Sequence, residues 1–280
     1  MEIRDIIPCK KETGNIGVEI EVEADNLPPR DLVARYWKVD ADASLRGESC
    51  EFVLKKPLNT RDLDLAFEEL QGAINSSGTR LRPTYRAGIH VHINVQDLSP
   101  KQLITFISSY FMLEEVLLSY CDKSRIGNHF CLRMTDASYT LDMITQAVLD
   151  SNLKLLDTED LRYASLNITS LFKYGSIEFR ALESMLDFKK IKIWAGVLQH
   201  LKEFSKKITN PTDLLNEASA RGFETFARDL LGPYYEFFGR YATEEKIRVG
   251  IRNIQYAVYS RNWSEVNRNI FDKNINLFTS

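Results

Sequence analysis

The sequence predicts an α+β fold built on a mainly antiparallel sheet, with a helix-rich C-terminal part. Three observations predict it. Residues 15–95 read as strands and turns around a single helix. Residues 99–121 and 187–280 read mainly as helices. The two kinds of element do not alternate strictly along the chain, as a doubly wound parallel sheet would require.

The elements follow in order. Asn15 to Glu23 alternates, with Val18, Ile20 and Val22 on one face of a strand and Glu19, Glu21 and Glu23 on the other. Residues 35–40 and 50–54 are further short strands. Thr60 is placed to cap a helix running to about Asn75, with Asp62 and Asp64 favoured by the dipole of its first turn. Gly88 to Val95 alternates again, setting Ile89, Val91, Ile93 and Val95 against His90, His92 and Asn94. Ser99-Pro100 opens a helix whose apolar stripe runs Leu103, Phe106, Ile107, Tyr110, Leu113 and Leu117. Residues 122–137 read as loop. Ala164–Thr169 and Ser176–Arg180 read as two strands with a hairpin-like connection through Lys173-Tyr174-Gly175. Ile191, Trp194, Val197, Leu198, Leu201 and Phe204 mark another helix, and the helices beyond Pro211 break near Gly222 and Gly232-Pro233.

Composition narrows the function. The 280 residues are 44% hydrophobic and 27% charged, which is ordinary globular composition and enough chain to bury a full core. A net charge of −3 gives no electrostatic reason for nucleic-acid or membrane binding. The four cysteines form no C-x-x-C pair, so neither a zinc ribbon nor a disulfide framework is expected. The start, Met1-Glu-Ile-Arg-Asp5, has no basic stretch before an apolar core, and no apolar run is long enough to span a bilayer. A cytoplasmic location is therefore expected. The chain has no P-loop, no G-x-G-x-x-G after a strand and no G-x-S-x-G. Its oligomeric state cannot be read from the sequence.

The chemistry lies on three strands. Same-face residues of a strand sit roughly 7 Å apart, so one cation, or two joined by a phosphate, can touch both Glu19 and Glu21. A solvated sheet face explains the same pattern, but three like charges in a row gain nothing unless a cation lies among them. His90-x-His92 places two of the four histidines on one strand face, either as metal ligands or as two partly exposed imidazoles. Gly88 before them lets a phosphate or another backbone approach closely. In Ser176-Ile-Glu178-Phe-Arg180, Glu178 and Arg180 share a face, as a plain salt bridge or as a metal carboxylate beside a phosphate-binding cation. Asp40, Asp42 and Ser44 sit at a turn, and Glu48 and Glu51 at the entry of the next strand. Arg162-Tyr163 precedes Ser165-Leu-Asn167, and Tyr163 reads equally as a core residue.

The order of these segments resembles the amidoligase family, of the carboxylate–amine ligase group that includes glutamine synthetase and glutamate–cysteine ligase. The resemblance runs through Gly17-Val-Glu19-Ile-Glu21, Asp42-Ala-Ser44, Glu51-Phe-Val53 with Pro57, Gly88-Ile-His90-Val-His92, Arg162-Tyr163 with Leu166-Asn167, and Glu178-Phe-Arg180, roughly residues 14–200. It implies a glutamine synthetase-like catalytic fold: a curved antiparallel sheet, helices on its outer face, and a concave face holding ATP and Mg²⁺. The implied division is a catalytic domain over 1–210 with a helical extension, 211–280, packed on it. By resemblance, Glu19, Glu21, Glu51, His90 and Glu178 are metal ligands, and Arg180 steadies the transferring phosphoryl group. His92, Asn167 and Arg162 are implied substrate or phosphate contacts. Asp42 is a candidate for the base that deprotonates the amine. One departure is Lys55-Lys56 before Pro57, where the family carries a small residue.

The function expected from this set is ATP-dependent ligation of a small-molecule or peptide carboxylate to an amine through an acyl phosphate. Two alternatives remain open: a metal-dependent hydrolase using His90, His92 and Glu178, and a non-enzymatic interaction protein whose polar strand faces are simply solvated.

Overall fold

The computed structural model describes residues 1–263. Among them, seven strands form one sheet: β1 (Ile16–Asp25), β2 (Trp37–Asp40), β3 (Ser49–Leu54), β4 (Arg80–Leu81), β5 (Gly88–Asn94), β6 (Leu166–Asn167) and β7 (Ser176–Glu183). The order is β2-β3-β1-β5-β7-β6, with β4 paired to the far end of β1, and every pairing is antiparallel. The helices are α1 (Ile3–Ile6), α2 (Thr60–Ser77), α3 (Pro100–Leu118), α4 (Tyr139–Asp150), α5 (Ser170–Tyr174), α6 (Phe188–Ser205), α7 (Pro211–Arg221), α8 (Phe223–Leu231), α9 (Tyr235–Phe238) and α10 (Glu244–Tyr259).

Alternation decides which face of the sheet is covered. Val18, Ile20 and Val22 of β1 and Ile89, Val91 and Ile93 of β5 are buried in the core. Helices close over them. From β2, the Trp37 indole N–H donates to the Ala66 carbonyl of α2 at 2.9 Å, and its ring lies 6.0 Å from Phe67. Phe67 in turn stacks on Phe188 of α6 at 5.1 Å. Phe179 of β7 meets Phe106 and Tyr110 of α3 at 5.7 and 4.8 Å. The α3 stripe suggests one buried face, but the helix is buried almost all round because α10 covers its outer side. A Cβ on Gly250 would stand 2.4 Å from the Met112 carbonyl oxygen, so the backbones of α10 and α3 nearly touch there.

Several local features differ from the sequence expectation. The α2 cap is Asn59, whose side chain accepts from the Asp62 N–H at 2.9 Å, and Thr60 is the first helical residue. Residues 138–163, to which patterning assigned nothing, hold α4 and two 3-10 turns. Leu166 and Asn167 do pair with Phe179 and Glu178, but the connection is the short helix α5 and not a hairpin turn. Gly175 ends α5 at φ 67, the left-handed conformation that favours glycine. Helices α7, α8 and α10 pack on α3 and α6. Residues 264–280, the end of the expected extension, lie outside the described residues. No described helix is long and apolar enough to cross a membrane.

Candidate active site

Strand register builds the site on the face that the helices leave uncovered. Glu21 stands opposite Glu51 across β1–β3, and Glu19 opposite His90 across β1–β5. His92 stands opposite Glu178 across β5–β7, and Glu178 opposite Asn167 across β7–β6. Each strand presents every second residue to this face, so four pairings gather residues from five strands into one cluster.

The distances are short. His90 Nδ1 lies 3.2 Å from Glu19 Oε2 and 3.4 Å from Glu178 Oε1, and its Nε2 lies 3.7 Å from Glu21 Oε1. His92 Nδ1 meets Ser176 Oγ at 3.2 Å. His92 Nε2 is buried 3.2 Å from Glu19 Oε1, yet makes no contact there with hydrogen-bond geometry. Glu178 accepts from Asn167 Nδ2 at 2.6 Å and from Arg180 Nη1 at 2.5 Å. Arg180 Nε donates to the Phe130 carbonyl at 3.2 Å. Glu21 accepts the Gly88 N–H at 2.8 Å.

Burial and crowding set the charges. Burial, and then the charges of Glu19, Glu21 and Asp42, push Glu51 up to about 8. Burial likewise raises Glu21, against the pull of His90. Burial opposes ionisation of Glu19 and Glu178 too. It is outweighed by His92 and His90 for Glu19, and by His92 and Arg180 for Glu178, so both sit below the ordinary carboxylate range. Burial would lower His92, but Glu19 and then Glu178 raise it.

Not every predicted residue joins the cluster. Asp42 borders it, accepting the Ser44 N–H at 2.6 Å; burial is outweighed by the Ser44 bonds and its pKa is lowered. Glu23 shares the face of Glu19 and Glu21 but is spent on the Arg46 N–H, at 2.9 Å, and so pins the turn that carries Asp42. Arg162 is not brought to the site. It lies in the 3-10 turn Glu159–Tyr163, pairs with Glu159 at 3.2 Å and stacks on the half-exposed Tyr163, which is not a core residue. A Cβ on Gly88 would stand 2.8 Å from the Arg125 guanidinium and 3.3 Å from the Leu182 carbonyl oxygen of β7, so the glycine admits a close backbone as well as the arginine. Patterning missed Arg125 and the Phe130 carbonyl because both lie in a stretch without periodicity.

The donor set fits a divalent cation. One ligand atom each from Glu19, Glu51 and His90 lies within 4.8 Å of the others, and the same holds for Glu19, His92 and Glu178. His92 Nε2, buried without a contact of hydrogen-bond geometry, and the crowding of Glu51 by Glu19 and Glu21 fit a site whose charges a cation would balance. Beside the cluster opens a groove of about 440 Å³, with Glu19, Glu51 and His92 among its walls and Lys38, Lys55 and Lys56 along its lining.

Fold and site together define a class: an antiparallel sheet, helices on one face, and on the other a cluster of carboxylates and histidines with one arginine. The model of the family described as "putative amidoligase enzyme" matches residues 19–201, more than half of the chain, and the chain belongs to that family. No curated protein matches the chain. Among solved structures, a bifunctional glutathione synthetase from Pasteurella multocida is similar at 12% identity and a TM-score of 0.38, over 95% of this chain and 49% of that one. The chain thus spans about half the length of that structure, and a likeness this slight carries no inference.

Proposed function

We propose that the protein uses ATP and Mg²⁺ to join a small-molecule or peptide carboxylate to an amine, releasing ADP and phosphate. The observation that carries this reading is the convergence of Glu19, Glu21, Glu51, His90 and Glu178 with Arg180 on one sheet face. Those carboxylates and histidines, with His92, would hold Mg²⁺, which when bound offsets the charge of the ATP phosphates.

The chain's own groups account for the remaining requirements. Glu178 and the Phe130 carbonyl fix two nitrogens of Arg180, leaving Nη2 to meet an equatorial phosphoryl oxygen. A substrate carboxylate oxygen attacks the γ-phosphorus, the bond to ADP breaks, and an acyl phosphate results. The amine nitrogen then attacks the acyl carbon, phosphate leaves, and the amine proton passes to a carboxylate at the site edge. Asp42 is placed there, but a lowered pKa suits it better to hold an ammonium group than to keep its proton. In the adjoining groove Lys38 is paired with Asp40 at 2.6 Å, Lys10 with Glu12 at 2.8 Å, and Lys55 donates to the Ala34 carbonyl, so Lys56 is the lysine that would meet a negatively charged acid.

The test is ADP release from Mg-ATP across panels of carboxylic acids and amines. Release should require both partners, and hydroxylamine in place of the amine should trap the acyl group as a hydroxamate. Amide or ester hydrolysis with Zn²⁺ or Mn²⁺ and no ATP would instead establish the hydrolase built on His90, His92 and Glu178. Failure to bind Mg²⁺ or nucleotide at all would leave an interaction protein.

A further inference from the structure

Arg125 is fully buried at the end of a 3-10 turn, Lys123–Arg125, and belongs to no part of the site described above. A buried guanidinium ordinarily has a carboxylate partner. Among the described residues Arg125 forms no ion pair. Its fork instead takes three backbone carbonyls: Nη2 donates to Arg180 at 2.7 Å, Nε to Ala181 at 3.3 Å and Nη1 to Ala87 at 3.4 Å.

Those carbonyls mark an irregularity in the sheet. Ile89 pairs with Leu182 and Val91 with Phe179, so Arg180 and Ala181 together oppose the single residue His90. This is a β-bulge, and it changes the phase of β7. Ile177 and Phe179 face the core before it, and Leu182 faces the core after it. A bulge takes backbone groups out of the ladder and bends the strand, re-aiming the side chain it carries. Here that side chain is Arg180, and the residue opposite is His90. The planar fork of arginine suits several carbonyls at once, which the point charge of lysine does not. Gly88 is part of the same device: a Cβ there would stand 2.8 Å from Arg125 Nη2. The turn also fixes the other holder of Arg180. Cys131 Sγ lies 3.4 Å from the Arg125 carbonyl, and the Phe130 carbonyl beside it accepts from Arg180 Nε at 3.2 Å.

We propose that Arg125 is a positioning residue for the ligase reaction. It braces the bulge at Arg180–Ala181 and so sets the direction in which the Arg180 guanidinium points. The proposal rests on the reading of Arg180 as the group that meets the transferring phosphoryl.

The experiment combines Arg125→Met, Arg125→Lys and Gly88→Ala with Arg180→Lys. In protein labelled with ¹⁵N-arginine, the Arg180 Nε–H resonance, assigned by its loss in Arg180→Lys, should move or broaden in Arg125→Met and Gly88→Ala. The kcat for ADP release should fall about 100-fold, the order expected when a catalytic group is misplaced by about 1 Å, with little change in KM for the acid. The double variant Arg125→Met/Arg180→Lys should be no slower than Arg180→Lys alone, because Arg125 acts only through Arg180. An unchanged Arg180 resonance in folded Arg125→Met, or losses that multiply in the double variant, would overturn the proposal. A shifted resonance with Arg180→Lys fully active would refute the role given to Arg180 and leave the bracing geometry intact. Should Arg125→Met not fold, Gly88→Ala gives the same readouts, since its sharpest clash, at 2.8 Å, is with the tip of the guanidinium, while the Leu182 carbonyl at 3.3 Å has only tenths of an ångström to yield.

Discussion

Glu51→Gln tests whether the cluster is an electrostatic site waiting for a cation. Glu51 faces Glu21 across the β1–β3 register, and burial together with neighbouring acids raises it from 4.5 to about 8. At pH 7, which is about 2.5 units above the ordinary value of 4.5, the metal-free protein therefore holds it largely protonated, which costs about 3.5 kcal/mol at ~1.4 kcal/mol per unit. Water reaches this half-buried group, so the realised cost is about 1–3 kcal/mol. The sign follows from a folded pKa above the unfolded one: a carboxylate so placed costs nothing below 4.5, costs more as pH rises, and reaches a plateau near 8. Glutamine has the shape of the protonated acid and no such cost. In EDTA, Glu51→Gln should melt with wild type at pH 4 and several degrees above it at pH 8, at roughly 2–4 °C per kcal/mol. Mg²⁺ should then raise the melting temperature of wild type far more than that of the variant, because bound cation relieves the same repulsion. Superimposable melting curves in EDTA across the whole pH range would refute the crowding argument. An equal Mg²⁺ response would remove Glu51 from the ligand set.

Three further outcomes are expected. Glu21→Gln keeps an acceptor for the Gly88 N–H but removes a buried charge, so ADP release should fall about 100-fold or more while the metal-free melting temperature holds or rises. Glu114, which accepts from Ser165 Oγ and the Met134 N–H, is pushed by burial to about 7. Its stability cost builds between 4.5 and about 7, so Glu114→Gln should flatten the pH dependence of urea unfolding over that window by about 1–3 kcal/mol. Gly250→Ala sets a Cβ 2.4 Å from the Met112 carbonyl oxygen and should cost about 1–3 kcal/mol in denaturant unfolding, with kcat unchanged below the melting range.

What the sequence disclosed was periodicity. The alternations at Asn15–Glu23 and Gly88–Val95 gave β1 and β5 and told their polar faces from their apolar ones. Register was not legible, because nothing local says that Glu21 will face Glu51 or that His92 will face Glu178. The family resemblance supplied that convergence. Arg162 shows where such motif reasoning goes astray: it lies close in sequence to strand β6, but the chain there is still a 3-10 turn and points it at Glu159. Arg125 escaped because its partners are backbone carbonyls, which carry no residue identity to recognise.

Glu19, Glu21 and Glu23 repeat one pattern on one strand, yet they do not end in one role. What separates them is how many N–H groups of the protein claim their oxygens. Glu23 is held by the Arg46 N–H. Glu183, on the sheet's other wing, is held by the Asp122 N–H and Lys190. Such carboxylates have their charge met by the fold and fasten loops. Glu19 and Glu51 meet mainly histidines and other acids, and no backbone N–H is described on either. Glu21 is the intermediate case, with one oxygen on the Gly88 N–H and the other turned to His90. A carboxylate with a free oxygen, buried beside another of its kind, is unstable unless a cation arrives or a proton stays on, which is why burial and neighbouring acids drive Glu51 toward 8 and not merely above 4.5. The same alternation that gives the sheet its core thus also fixes where charge accumulates. The donors brought by loops decide which of those charges remain available for chemistry.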